Sequence, residues 1–255
     1  GDNRWIFYNN SVYYIENECT DENKMEYSAY LCRAELDGTN RRRITKLGDY
    51  QCTAMFVSDD IAYIMAARTY FPEGDDPEEL HYYYNQQVYV LALDLKTFDT
   101  RFSHCLFEGI SPDIRIKGMV DGNIYLNISA IDEEIFSVTE FCDQNVNISN
   151  RIFTVNTKSL EIGEYTDHYP VSIYGNKYLM YQNNGNLCFE SADNTIIIPS
   201  FDFAGSSSVF SVSYNDERLI ICSSADPDML YLFNMKTQKL LKGDIEQFKA
   251  ELVGK

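Results

Sequence analysis

The sequence predicts an all-β protein, a β-propeller of five four-stranded antiparallel blades, and three observations carry that prediction. A turn phrase recurs: Leu36-Asp37-Gly38-Thr39-Asn40, then Leu93-Asp94-Leu95-Lys96-Thr97, Val155-Asn156-Thr157-Lys158, Ala192-Asp193-Asn194-Thr195 and Phe233-Asn234-Met235-Lys236-Thr237. Ahead of each phrase lies a second turn, flanked by alternating apolar runs. The residue stock is that of strands, with 20 Tyr and 15 Phe against one Trp, because aromatic side chains pack well on a pleated surface.

Taken in order, Trp5–Tyr8 and Val12–Ile15 flank Asn9-Asn10-Ser11, and Tyr30–Glu35 then runs into Asp37-Gly38. Gly accepts positive φ and an Asp side chain bonds its own backbone two residues on, so this pair marks a hairpin. Ala54–Val57 and Ile61–Met65 flank Ser58-Asp59-Asp60; Ile114–Val120 and Ile124–Ile128 flank Asp121-Gly122-Asn123. Val171–Tyr174 and Tyr178–Tyr181 flank Gly175-Asn176-Lys177, and Val209–Tyr214 and Leu219–Cys222 flank Asn215-Asp216-Glu217. Each unit is thus hairpin, connection, hairpin, repeating at roughly 40 to 60 residues, the size of a propeller blade. The expected blades are 4–47, 48–107, 108–168, 169–203 and 204–244 of a single domain, with a helix-like tail over Ile245–Lys255. A β-sandwich also supplies short strands, but not this order five times. A six-bladed ring or a partial propeller remains the alternative.

At 255 residues and 45% hydrophobic the chain can bury a large core. Its net charge of −18 opposes a phosphate backbone and an anionic membrane surface, so nucleic acid and direct membrane insertion are not expected. The dense basic run Arg41-Arg42-Arg43 reads as an exposed edge strand kept soluble by charge. No run approaches the ~18 apolar residues of a membrane-spanning helix. Gly1-Asp2-Asn3, without Met, reads as the start of a domain cut from a longer chain. Of seven cysteines, Cys32, Cys52, Cys105, Cys188 and Cys222 lie in apolar runs and read as small buried hydrophobes. Cys19 and Cys142 lie in polar inserts and are left open as a pair. No cysteine or histidine spacing matches a metal site, and no cofactor is expected.

Tyr13-Tyr14-Ile15, Leu31-Cys32-Arg33 and Leu36-Asp37-Gly38-Thr39-Asn40 together resemble bacterial propeller families that are similar to the YWTD propeller of the low-density-lipoprotein receptors and, more loosely, to the TolB type. Only the first repeat carries the match, and YWTD itself is absent. The resemblance implies a propeller domain of a secreted or anchored protein in the cell envelope, and it brings no catalytic residues.

In a propeller all connections between second and third strands open on one face. They are short in the fourth and fifth units but long in the first three: Glu16–Ser28, Arg68–Gln86 and Ala130–Ser149. Long loops on a rigid scaffold are where binding residues sit. The expected anchors are Tyr27, Tyr70, Phe71, Tyr82, Tyr83, Tyr84 and Phe136, within a rim that includes Asp75, Asp76, Glu133 and Glu134. Such a face suits a protein or glycan partner, outside the cell or in its envelope; solvated loops without a ligand are the bland alternative.

No nucleophile elbow, phosphate loop or zinc signature is present. His81, His104 and His168 are scattered, and only His168, beside Asp167 at a connection on the insert face, is worth following. Five-bladed glycosidases work with paired carboxylates near the axis, for which Asp113 and Asp202 are the candidates. The expectation is a non-catalytic recognition or scaffold domain. The alternatives are a glycosidase-like propeller and a cytoplasmic protein-interaction domain, the latter favoured by unpaired thiols.

Overall fold

The structure, a computed structural model, describes residues 4–22, 25–70, 85–131, 148–168, 170–174, 177–198, 209–215, 218–223, 226–234, 236–237, 239–244 and 246–248. The fold is all-β, built of several antiparallel sheets in which every strand pairs with its sequence neighbour. The first sheet is β1 (Trp5–Tyr8), β2 (Ser11–Asp21), β3 (Glu26–Glu35) and β4 (Arg42–Gly48). A seven-stranded sheet follows: β5 (Gln51–Ser58), β6 (Ile61–Thr69), β7 (Asn85–Asp94), β8 (Thr100–Val120), β9 (Asn123–Ile131), β10 (Ile148–Asn156) and β11 (Ile162–Tyr165). Two four-stranded sheets complete the order: β12 (Pro170–Tyr174), β13 (Tyr178–Asn183), β14 (Asn186–Ser191) and β15 (Asn194–Ile198), then β16 (Val209–Asn215), β17 (Arg218–Ser223), β18 (Asp226–Asn234) and β19 (Lys239–Gly243).

In the first three units the first kind of turn, ahead of the phrase, closes with two consecutive residues at positive φ: Asn9 and Asn10 (45° and 56°), Asp59 and Asp60 (48° and 65°), and Asp121 and Gly122 (49° and 74°); Asn184 and Gly185 (50° and 74°) make the same turn between β13 and β14. This is the turn whose twist matches that of the strands it joins, and Asn, Asp and Gly tolerate it best. The second kind explains the recurring phrase. Asp94 Oδ1 accepts the backbone N–H groups of Lys96 and Thr97 at 2.7 and 3.1 Å. Asn156 does the same for Lys158 and Ser159, both at 3.0 Å, and Asn234 for Lys236 and Thr237 at 3.0 and 2.8 Å. Asp37 accepts from Thr39 N–H at 2.9 Å. The fourth echo departs: Ser191 pairs directly with Asn194 across a two-residue turn.

The seven-stranded sheet arises because β8 is one strand of 21 residues. Thr100–Ile110 pairs with β7, and the strand continues without a break to serve as the neighbour of β9. Gly109, at φ 145°, lies within it; a Cβ there would stand 2.9 Å from the Phe107 ring.

The chain divides into two compact units, one of Gly1–Gly118 with Ile124–Tyr165, the other of Met119–Asn123 with Thr166–Lys255. In the first, alternating residues of neighbouring strands build one core: Tyr13 and Ile15, Ala29 and Leu31, then Met55, Ala62, Ile64, Ala66, Leu91 and Leu93. Burying a side chain such as Leu31 or Ile64 stabilises by about 2 kcal/mol. The residues between them in β6, Tyr63 and Met65, are also fully buried, so both faces of this strand are covered. In the second unit Tyr178, Met180, Leu187, Phe189, Ile196 and Ile198 pack with Phe233.

Of the expected tail helix, only a turn over 246–248 falls among the described residues. Asp244 Oδ1 accepts Gln247 N–H and Gln247 Oε1 accepts Asp244 N–H, a reciprocal cap. Among the described residues no helix is long and apolar enough to cross a membrane.

Candidate binding cleft

The stretch Glu16–Ser28, expected as a long loop, is a strand hairpin. Glu16–Asp21 extends β2 and Glu26–Ser28 opens β3, with Glu18 opposite Ser28 and Cys19 opposite Tyr27. Glu16 and Glu18 stand on one exposed face of β2 rather than in a solvated loop. Arg43 of the edge strand β4 binds Glu16 through Nε at 3.0 Å and Nη2 at 3.1 Å, and Glu18 through Nη1 at 2.9 Å. The same guanidinium lies 4.1 Å above the Tyr30 ring, and it holds the Glu16 carboxyl below its usual range.

This hairpin forms one wall of a cleft of about 750 Å³ in the first unit, contributing Thr20, Met25, Glu26, Tyr27 and Ser28. The link from β4 to β5 supplies Asp49 and Tyr50, the start of β5 supplies Gln51, and the ends of β6 and β7, with Tyr70 just beyond β6, supply Ala67, Arg68, Thr69 and Gln87. Tyr27, Tyr50 and Tyr70 are each half-buried, with part of the ring left accessible. Burial, foremost, raises the hydroxyl pKa of Tyr27 and Tyr70. Both hydroxyls therefore stay protonated near neutral pH and can donate as well as accept.

The cleft is held in shape from behind. Gly48, at φ 141°, lets Tyr50 fold back over its own backbone, since a Cβ there would stand 2.4 Å from the ring. Tyr50 packs on Tyr89 at 5.1 Å between centroids. The Tyr89 hydroxyl donates to Gln87 Oε1 at 3.0 Å, and Gln87 Nε2 donates to Glu108 at 2.8 Å, which fixes the Gln87 amide. Asp49 is tied to Lys46 at 2.6 Å and accepts from the Ser28 hydroxyl at 3.0 Å. Those two contacts hold its carboxyl below the ordinary range, with a smaller contribution from the Arg68 charge.

Of the expected site residues, the structure brings Tyr27 and Tyr70 into this cleft. Phe71, Asp75, Asp76, Tyr82, Tyr83, Tyr84, Glu133, Glu134 and Phe136 lie outside the described residues, as do His81, Cys142 and Asp202. Cys19 is an exposed free thiol. Cys32, Cys52 and Cys188 are buried as expected, whereas Cys105 is partly exposed on β8. His104 stacks on Phe102 and His168 on Tyr181, with centroids 6.0 and 4.1 Å apart. Asp113 pairs with Arg115 at 2.7 Å. No group of three or more metal-ligating side chains occurs among the described residues.

Sequence reasoning missed Tyr50, Gln51, Arg68 and Gln87. The signal for the first two was available: a connection between successive four-strand groups opens on the same side as the β2–β3 and β6–β7 links, and Asp49-Tyr50 is such a connection.

No protein-family model matches the chain, and no curated protein matches it. Among solved structures it is similar to an ACO/RPE65 chimera, with a TM-score of 0.47 and 10% identity over 91% of this chain and 57% of that one. It is also similar to a chain of the mitotic checkpoint complex (TM-score 0.39, 8% identity, 95% of this chain and 63% of that one). A third is the α-L-arabinofuranosidase Arb93A from Fusarium graminearum in complex with an iminosugar inhibitor (TM-score 0.37, 7% identity, 88% of this chain and 66% of that one). The chain spans 57% of the length of the ACO/RPE65 chimera.

Proposed function

We propose that this chain is a non-catalytic recognition domain of the β-propeller class that binds a saccharide in the cleft between the β2–β3 hairpin and the ends of β6 and β7. The observation that carries the reading is the cleft itself: three half-buried tyrosines beside the amides of Gln51 and Gln87 and the hydroxyls of Ser28 and Thr69. Flat aromatic faces accept the apolar C–H faces of a sugar ring, and fixed amides and hydroxyls pair with its hydroxyls. A volume of about 750 Å³ is the size of a small-ligand site, which favours a glycan over a folded protein partner.

The propeller reading rests on five successive four-strand meanders, counting β8 once as the last strand of the second and once as the first of the third, and on the first-repeat phrase that resembles YWTD propellers. The non-catalytic reading rests on Asp49: a general acid needs a raised carboxyl pKa, and Lys46 holds this one the other way. A saccharide ligand suits a setting in the cell envelope or outside the cell.

A thermal-shift and calorimetric screen of oligosaccharides tests the function. Any ligand bound by the native state alone raises the melting temperature. Tyr27→Ala and Tyr70→Ala are expected to remove the shift while each variant still melts cooperatively. A saccharide that is hydrolysed rather than held, or one whose binding ignores both substitutions, overturns the reading.

A further inference from the structure

Arg68 is the cation of the cleft, and it makes no ion pair among the described residues. Elsewhere among the described residues Arg43, Arg101, Arg115 and Arg151 bind carboxylates, while Arg33 bonds the Ser11 hydroxyl and Arg41 the Gly38 carbonyl. Arg68 lies on the next-to-last position of β6, opposite Gln87, and is exposed into the cleft. Two carboxylates line the cleft, Glu26 and Asp49, and Asp49 Oδ1 takes both Lys46 and the Ser28 hydroxyl. The Gln87 amide beside Arg68 is committed to Tyr89 and Glu108, so it cannot swing round to cover the guanidinium.

From these contacts we infer that the saccharide bound in this cleft is acidic, and that Arg68 reads its sugar carboxylate while Tyr27, Tyr50 and Tyr70 hold the ring faces. This rests on the saccharide reading above and narrows it. A guanidinium presents two parallel N–H donors that match a carboxylate, and such charge-assisted pairs are about twice as strong as neutral ones. The chain's overall charge of −18 opposes an anion at long range. That repulsion is screened beyond about 8 Å in physiological salt, and contact with Arg68 acts within it. The half-buried tyrosine rings lower the local dielectric and strengthen the pair further.

The test uses oligogalacturonate, alginate and hyaluronan oligosaccharides and sialyllactose, each beside its carboxyl-reduced, neutral counterpart, with binding followed by calorimetry on the whole chain. The expected result is that one acidic oligosaccharide binds about tenfold to hundredfold more tightly than its reduced form. Arg68→Gln then lowers its affinity to that of the neutral form, and Arg68→Lys restores part of the difference. Arg42→Gln, on the edge strand and outside the cleft, leaves the affinity unchanged. Arg68 is exposed and forms no ion pair among the described residues, so its variants keep the wild-type melting temperature, which separates lost binding from lost fold.

Equal affinity for an acidic sugar and its reduced form, unaffected by Arg68→Gln, overturns the acidic specificity and leaves the saccharide reading standing. Binding of poly-glutamate but of no saccharide overturns both. Silence across the acidic and neutral sets likewise removes both.

Discussion

Asn17 and Cys52 exchange two hydrogen bonds: Asn17 Nδ2 donates to the Cys52 carbonyl at 2.9 Å, and Cys52 N–H donates to Asn17 Oδ1 at 3.0 Å. A side-chain amide on β2 thus stands in for a strand partner of β5, where the ladder to β6 shifts register between Cys52 and Ala54. Cys52 is fully buried, so both of its backbone groups depend on this pairing.

Replacing Asn17 with Ala leaves a buried donor and a buried acceptor without partners. The expected cost is about 2 to 4 kcal/mol, measured by urea denaturation. Asn17→Asp keeps an acceptor for the Cys52 N–H but sets a carboxylate oxygen against the carbonyl, and it is expected to destabilise as well. A loss below 0.5 kcal/mol for both variants removes the bridging role.

Asp94 is buried, holds two backbone N–H groups of its turn and pairs with Arg101. Asn156 and Asn234 form the same turn without a charge. Asp94→Asn is therefore expected to lower the melting temperature less than Asp94→Ala, which loses the turn as well as the ion pair. The Lys96 and Thr97 N–H groups, then Arg101, hold the Asp94 carboxyl below its ordinary value of 3.8. Its contribution is present above that value and disappears as pH falls through the lower, folded-state one. Thermal melts between pH 6 and pH 3 are expected to show a shallower acid decline for Asp94→Asn than for wild type.

Gly48 and Tyr50 form a coupled pair. Gly48→Ala meets the Tyr50 ring and adopts a backbone conformation that L residues avoid, for an expected cost of about 1 to 3 kcal/mol. The double variant Gly48→Ala with Tyr50→Ala is expected to cost less than the sum of the singles, since the clash is gone and only the backbone strain is left. Additive losses dismiss the steric account.

The Tyr63 hydroxyl donates to the Thr157 carbonyl at 3.3 Å, across 94 residues of sequence. Tyr63→Phe is expected to destabilise by about 1 kcal/mol in a denaturant melt. An unchanged midpoint dismisses that contribution.

Burial pushes the Cys52 thiol up to about 12, and burial with the Glu16 carboxylate pushes Cys32 to about 11. Cys19 is exposed. A maleimide pulse at pH 7.5, read by peptide mass mapping, is expected to label Cys19 rapidly and to spare Cys32 and Cys52 until the chain unfolds. Early labelling of Cys52 contradicts the packing of β5 against β2.

The turns were legible in the sequence because their chemistry is local. Asn, Asp and Gly at positive φ, and an Asx oxygen capping the next two amides, act within four residues of each other. The alternating core was legible for the same reason, as Tyr13 and Ile15 or Leu91 and Leu93 declare their face by spacing alone. What stayed hidden depended on partners far along the chain. Glu16 and Glu18 read as loop charges because nothing nearby announces Arg43 across the sheet. Arg68 read as the start of a loop because the cleft it lines is assembled from strands far apart along the chain. Tyr27 and Tyr70 were picked out by type and position, yet the surface they share with Tyr50 emerges only when three strand pairs converge.

The unbroken course of β8 has a kinetic corollary. Its two halves serve different ladders, so the amides of Thr100–Ile110 cannot open fully without loosening the register of the strand that leads into β9. The second and third meanders are bound to exchange and unfold as one cooperative block. A limited protease then finds its cuts at the turns rather than at the seam between them. A duplicated or transplanted unit of this chain must likewise carry both meanders, since a cut within β8 would break the continuous strand that ties them.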